Sequence, residues 1–152
     1  MEIIPETTSD RAIARAFAED ITVNEALILM LPENVLALLP EAPKQESDGS
    51  FSNFRPLCMS NVAGGHTGVV LLTNQRLVDD IIMKTPKHQF VFQAQFAWFV
   101  MAGQSELAIV INPDSNLHLQ LPPEGVMGLR RYIMKTSEET ARRERETGFI
   151  QS

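Results

Sequence analysis

Three histidines, a single cysteine and one glycine-rich stretch are the groups in this 152-residue chain from which metal, thiol or phosphate chemistry would be assembled. His66 lies in the glycine stretch, His88 follows a proline, and His118 falls on the outer face of an alternating segment. None has a second ligand at metal-binding spacing, so each reads as a surface histidine. Cys58 sits between Leu57 and Met59, where a thiol behaves as a small buried hydrophobe rather than a low-pKa nucleophile. Gly64-Gly65-His66-Thr67-Gly68 lacks the lysine of a phosphate loop and the glycine spacing of a dinucleotide site, and a hairpin turn accounts for it. No serine has a nucleophile-elbow context. The acidic residues of the first third fall on expected helix faces and in a loop, with no pairing that suggests carboxylate catalysis. The sequence therefore predicts no catalytic, cofactor-binding or metal-binding residue. A pocket gathered from Arg55, His66, Asn112 and His118 is the enzymatic or small-ligand alternative, and it requires those residues to converge in space.

Two features suit partner binding instead. Phe90 to Met101 is dense in apolar and aromatic residues and holds the lone tryptophan, Trp98, a pattern more common in cores than in interfaces. Phe51 and Phe54 flank a polar segment and are either exposed contacts or buried beneath it.

Composition narrows the class of ligand. A net charge of −6 argues against nucleic acid and against anionic membrane surfaces, because both need a concentrated basic face. Arg130, Arg131, Lys135, Arg142, Arg143 and Arg145 are interleaved with glutamates, which reads as a solvated helix face. With 44% apolar and 21% charged residues the chain has the make-up of a globular domain. One cysteine makes no intramolecular disulfide, no secretory signal is legible in residues 1–20, and no apolar run spans a bilayer. The expectation is a cytoplasmic protein without membrane insertion.

The elements expected to position these groups follow from periodicity and punctuation. Residues 9–20 read as an amphipathic helix capped within Thr7 to Ser9, with Asp10 in its first turn. Ala26 to Leu31 reads as a buried strand, with a continuing helix as the alternative that periodicity alone does not exclude, and Glu33 to Leu39 as a helical turn. Residues 41–52 have the composition of a mobile loop. Phe54 to Ser60 and Gly68 to Leu72 read as antiparallel strands joined through Gly64-Gly65. Thr73 or Asn74 caps a helix that Pro86 stops. Residues 90–93 read as a strand leading into a helix at 95–102, with a hairpin turning at Gly103-Gln104 as the rival. Leu107 to Ile111 is a central strand, Leu117 to Leu121 a half-buried one, and Pro122-Pro123 open a last helix whose charged extension covers 136–152 and frays after Thr147. The result is one α+β domain, 1–152, with a mixed or antiparallel sheet of five to six strands and N-terminal, central and C-terminal helices packed on it.

With these residues in place, Val69 to Tyr132 resembles the SseB N-terminal domain family, known from the enhanced serine-sensitivity protein of enteric bacteria and often labelled as type III secretion-related. A strand leading into a "TS-x-x-x-L" helix start is matched by Leu72-Thr73-Asn74-Gln75-Arg76-Leu77, with asparagine for serine. An "xLVLNPGS" segment is similar to Ala108-Ile109-Val110-Ile111-Asn112-Pro113-Asp114-Ser115, with Asp114 for glycine. The alternating "L-x-L" strand and proline-acid helix start look like Leu117 to Glu124. The resemblance implies an α+β domain of poorly defined biochemical role, with no accepted enzymatic activity or cofactor; a protein partner is the separate expectation. A non-enzymatic protein-binding or regulatory role is thus the leading expectation; an effector chaperone or a toxin-immunity protein comes second, and a homodimer stays open.

Overall fold

The computed structural model describes residues 2–52, 54–103 and 106–147. It is an α+β fold, and its first helix, α1 (Thr8–Phe17), begins where the capping residues dictate. Thr7 Oγ1 accepts from the Asp10 N–H at 3.0 Å while the Asp10 carboxylate accepts from the Thr7 N–H at 3.2 Å, so two otherwise orphaned helix-end donors are satisfied reciprocally. Ala12 and Ile13 point into the core against α2 (Val23–Met30).

Helix α2 corrects the expected strand at 26–31. Thr22 and Glu25 form a second reciprocal cap, each accepting from the other's backbone N–H at 3.0 Å, and that local start signal outweighs an apolar run with no clear period. The next element is also corrected: Glu33 to Leu39 is not a helical turn but strand β1 (Asn34–Leu39). It is buried almost throughout, so the alternation that marks a half-exposed strand is missing from its sequence. The segment 41–52, expected as a loop, contains a short hairpin of β2 (Lys44–Gln45) and β3 (Phe51–Ser52).

Strands β4 (Cys58–Val62) and β5 (His66–Leu71) pair antiparallel as expected, although β4 starts later than Phe54. Gly64 and Gly65 turn between them at φ 88° and 106°, a region that side chains disfavour. Asn74 caps α3 (Gln75–Ile82), its side chain accepting from Leu77 N at 3.1 Å. Strand β6 (Phe90–Gln95) then runs directly into α4 (Phe96–Ala102), which removes the hairpin rival; Gln104, where that hairpin would turn, lies outside the described residues. Strands β7 (Ala108–Ile111) and β8 (Leu119–Leu121) and the long helix α5 (Pro123–Thr147) complete the order. The expected extension beyond residue 136 is helical to Thr147, and residues 148–152 lie outside the described residues.

The main sheet has the order β4-β5-β7-β8, antiparallel at both ends and parallel between β5 and β7. That parallel pair needs a long crossover, here α3, β6 and α4. Strand β6 pairs antiparallel with β1, and Leu36 and Leu72 exchange two 2.8 Å backbone hydrogen bonds that join this ribbon to the end of β5. The buried strand β7 is the centre of the core, flanked by Val70, Leu71 and Leu72. At the far end of the chain, Asn116 clasps Ile3: its side-chain carbonyl accepts from Ile3 N at 2.7 Å and its amide donates to Ile3 O at 3.0 Å.

Candidate functional site

Two of the three segments quoted for the resemblance, those holding Thr73 and Asn112, meet in one buried polar node at the carboxyl ends of the parallel strands β5 and β7. Asn112 follows β7 and is fully buried; its side-chain carbonyl accepts from Thr73 N at 3.0 Å, and its amide donates to Thr73 Oγ1 at 2.9 Å and to Leu117 O at 3.0 Å. Thr73 Oγ1 in turn donates to Asp10 Oδ1, and Asn74 Nδ2 donates to Asp10 Oδ2 at 3.0 Å. Asp10 also accepts from the backbone N–H groups of Glu6 at 2.9 Å and Thr7 at 3.2 Å. Asp10 is therefore no exposed helix-face carboxylate, as its position in the first turn suggests, but a fully buried anion wrapped in donors. Burial alone would raise its pKa; the hydrogen bonds from Thr73, Glu6, Asn74 and Thr7 outweigh that and hold the carboxyl below its ordinary value.

This node organises structure and leaves no room for a ligand. Its members are closed off from solvent, and their polar atoms are spent on one another. The convergence of Arg55, His66, Asn112 and His118 that the enzymatic or small-ligand alternative requires is not seen at the node, where the side-chain bonds of Asn112 go to Thr73 and Leu117. Arg55 and His66 are exposed, His88 and His118 half-buried, and His118 Nε2 lies 3.4 Å from Gln120 Nε2. Cys58 is exposed at the start of β4, correcting its reading as a buried hydrophobe. Its Sγ contacts Pro56 O at 3.4 Å, and local desolvation raises the thiol pKa. Among the described residues no group of three or more His, Cys, Asp or Glu side chains is placed to hold a metal, and no helix is long and apolar enough to cross a membrane.

The accessible site is a separate cleft. Val69 and Ile109 are register partners on β5 and β7 and form the floor of an open cleft of about 490 Å³. Helix α4 supplies Trp98, Phe99 and Ala102 to one wall, α5 supplies Val126 and Arg130 to another, and the tip of the β2–β3 hairpin supplies Ser50 and Phe51. Phe51 and Phe54 thus belong to a shared aromatic cluster, resolving the choice between surface contact and burial: both are half-buried. Phe54 packs edge-on to Trp98 at a centroid distance of 5.3 Å and to Phe92 at 5.2 Å, and Phe51 lies edge-on to Phe92 at 5.5 Å and to Trp98 at 5.9 Å. Trp98 and Phe99 complete the cluster at 5.1 Å. Such tilted and edge-to-face pairs fix the rings in place more firmly than area burial alone.

Arg130 corrects the view of the basic C-terminal residues as a uniformly solvated face. It is half-buried; its Nε donates to Val100 O at 2.6 Å, an Nη donates to Gly103 O, and the other Nη reaches Met127 Sδ at 3.6 Å. The guanidinium therefore satisfies carbonyls left over at the end of α4, where a positive charge also complements the helix dipole. No sequence signal separated Arg130 from its charged neighbours, because its partners are backbone atoms about thirty positions away. Chemically the cleft offers apolar and aromatic contact and a fixed cation, an arrangement fit for binding. Neither protein-family models nor curated proteins nor solved structures give a match to this chain.

Proposed function

We propose that the chain is a non-enzymatic protein-binding module, SseB-like in type and cytoplasmic, which uses the aromatic cleft as its contact surface. The observation that carries this reading is the cleft itself: an open apolar hollow of about 490 Å³ whose Phe51, Phe54, Trp98 and Phe99 walls are held by mutual ring packing. Preorganised aromatic pockets of this kind are where a partner's anchoring side chain gains most of its binding energy. The resemblance adds support at one departure: Asp114, standing where the family has glycine, holds a left-handed φ of 61°, the backbone state glycine adopts without strain.

A small apolar ligand is the second reading, favoured by the cleft volume, which falls within the roughly 300–1,000 Å³ of ordinary ligand pockets. Both are tested by filling the mouth. Ala102 is exposed on the last turn of α4 and lines the cleft, so Ala102→Phe occupies it without emptying the core. Partners recovered from host lysate with the wild-type protein are expected to be lost with Ala102→Phe. A stoichiometric partner that the variant retains at full strength would place the contact surface elsewhere, and a thermal shift with small apolar compounds that disappears in the variant would favour the second reading.

A further inference from the structure

We infer that the cleft receives the carboxyl terminus of a partner polypeptide, with the last apolar side chain against Trp98 and Phe99 and the α-carboxylate on Arg130. The inference rests on the cleft being the binding surface and adds the chemistry of its occupant. Arg130 supplies the first argument. Its guanidinium lies in a mostly apolar hollow, and it is absent from the ion pairs seen among the described residues, which include Arg15–Asp20, Arg76–Glu6, Lys84–Asp80 and Arg142–Glu146. The carbonyls of Val100 and Gly103 and the Met127 thioether orient the fork but carry only partial charge, and they take three of its five N–H donors among the described residues. A half-buried cation fixed in this way is matched by an incoming carboxylate in the same hollow.

The lining gives the second argument. The cleft is lined by β5 and β7, by α4 and α5, and by the β2–β3 hairpin. A chain end brings its terminal side chain and its carboxylate on one Cα, close to the aromatic wall and the guanidinium respectively. An internal acidic side chain is the weaker fit, because its carboxylate and a neighbouring apolar side chain diverge from separate backbone positions.

The whole chain carries −6, so its overall field disfavours an anionic ligand, and any preference for a free carboxylate must come from the site. The test is a fluorescence-polarisation array of labelled nonapeptides whose last three positions vary over apolar residues, each as free acid and as amide, with decanoate as competitor. The expected result is binding by free acids ending in an aromatic or branched residue, at least about tenfold tighter than the matching amides, as for a charge-assisted hydrogen bond lost from a partly desolvated site. That preference is expected to vanish in Arg130→Met and binding itself in Ala102→Phe; the acid-to-amide contrast on the wild-type protein stands even where Arg130→Met loosens α4. Equal binding of acids and amides overturns the inference and leaves the apolar cleft as a protein-binding surface. Decanoate that raises the melting temperature of the wild-type protein but not of Ala102→Phe, with no peptide binding, replaces the polypeptide with a small acyl carboxylate, and binding of neither overturns both the inference and the function it rests on.

Discussion

Asn112 closes on Thr73 from two directions at once, its amide donating to Thr73 Oγ1 at 2.9 Å and its carbonyl accepting from Thr73 N at 3.0 Å. The two residues end neighbouring parallel strands, so this exchange pins β5 and β7 in register just where their ladder stops. Thr73→Val keeps the shape and removes the hydroxyl, leaving Asp10 Oδ1 without a donor and the Asn112 amide with Leu117 O alone. A loss of about 2–3 kcal/mol is expected from urea unfolding, with most of it restored in Thr73→Ser.

Asp10 sets the acid limb of stability. Its folded pKa lies below the unfolded value because donors from Thr73, Glu6, Asn74 and Thr7 outweigh the desolvation that opposes them. A depressed carboxyl contributes stability that is complete above the ordinary carboxylate range and is lost as pH falls through the folded value. The urea midpoint of the wild-type protein is therefore expected to fall between about pH 5 and about pH 2. Asp10→Asn should start lower at neutral pH and show a shallower acid slope; parallel profiles would remove Asp10 from this role.

Phe54 touches Phe51, Phe92, Trp98 and Phe99 and stands at the centre of the aromatic cluster. Phe54→Ala is expected to cost about 2–3 kcal/mol and to open the cleft floor to water. The lone tryptophan reports on this directly: Trp98 emission should move to longer wavelength in the folded variant, whereas an unchanged spectrum would mean that the rings do not pack as described.

Cys58 is exposed, yet local desolvation raises its thiol pKa, so it should react with an aromatic disulfide reagent in the native protein at a rate below that of a small free thiol. The rate should climb as pH moves into the alkaline range. Cys58→Ser is expected to leave unfolding within about 0.5 kcal/mol of the wild type. A requirement for denaturant before the thiol reacts would contradict the exposure.

Where punctuation was local and unambiguous, the fold was legible. Asn74 capped its helix, and Gly64 and Gly65 turned their hairpin. The exchange of identities between 26–31 and 34–39 had one cause: both runs are nearly all apolar, so neither period emerges, and the Thr22–Glu25 cap that decided the first was passed over. Asp10 and Arg130 were hidden for a different reason. Their hydrogen-bond partners lie 63 and about thirty positions away, and a carboxylate in a helix's first turn or an arginine among glutamates has an ordinary surface explanation in sequence. The cleft was legible as aromatic density but not as a place, because Val69, Val126 and the hairpin tip are gathered only by the crossover between β5 and β7.

The clasp between Ile3 and Asn116 has a consequence for how the chain is made. Ile3 leaves the ribosome 113 residues before the side chain that holds it, and Asp10 leaves 63 residues before Thr73. The long-range contacts of this first segment therefore form late in translation, although α1 caps itself and packs on α2 locally. A nascent chain halted before Asn116 carries an N-terminal arm open to proteases, and the arm becomes protected once that residue has emerged.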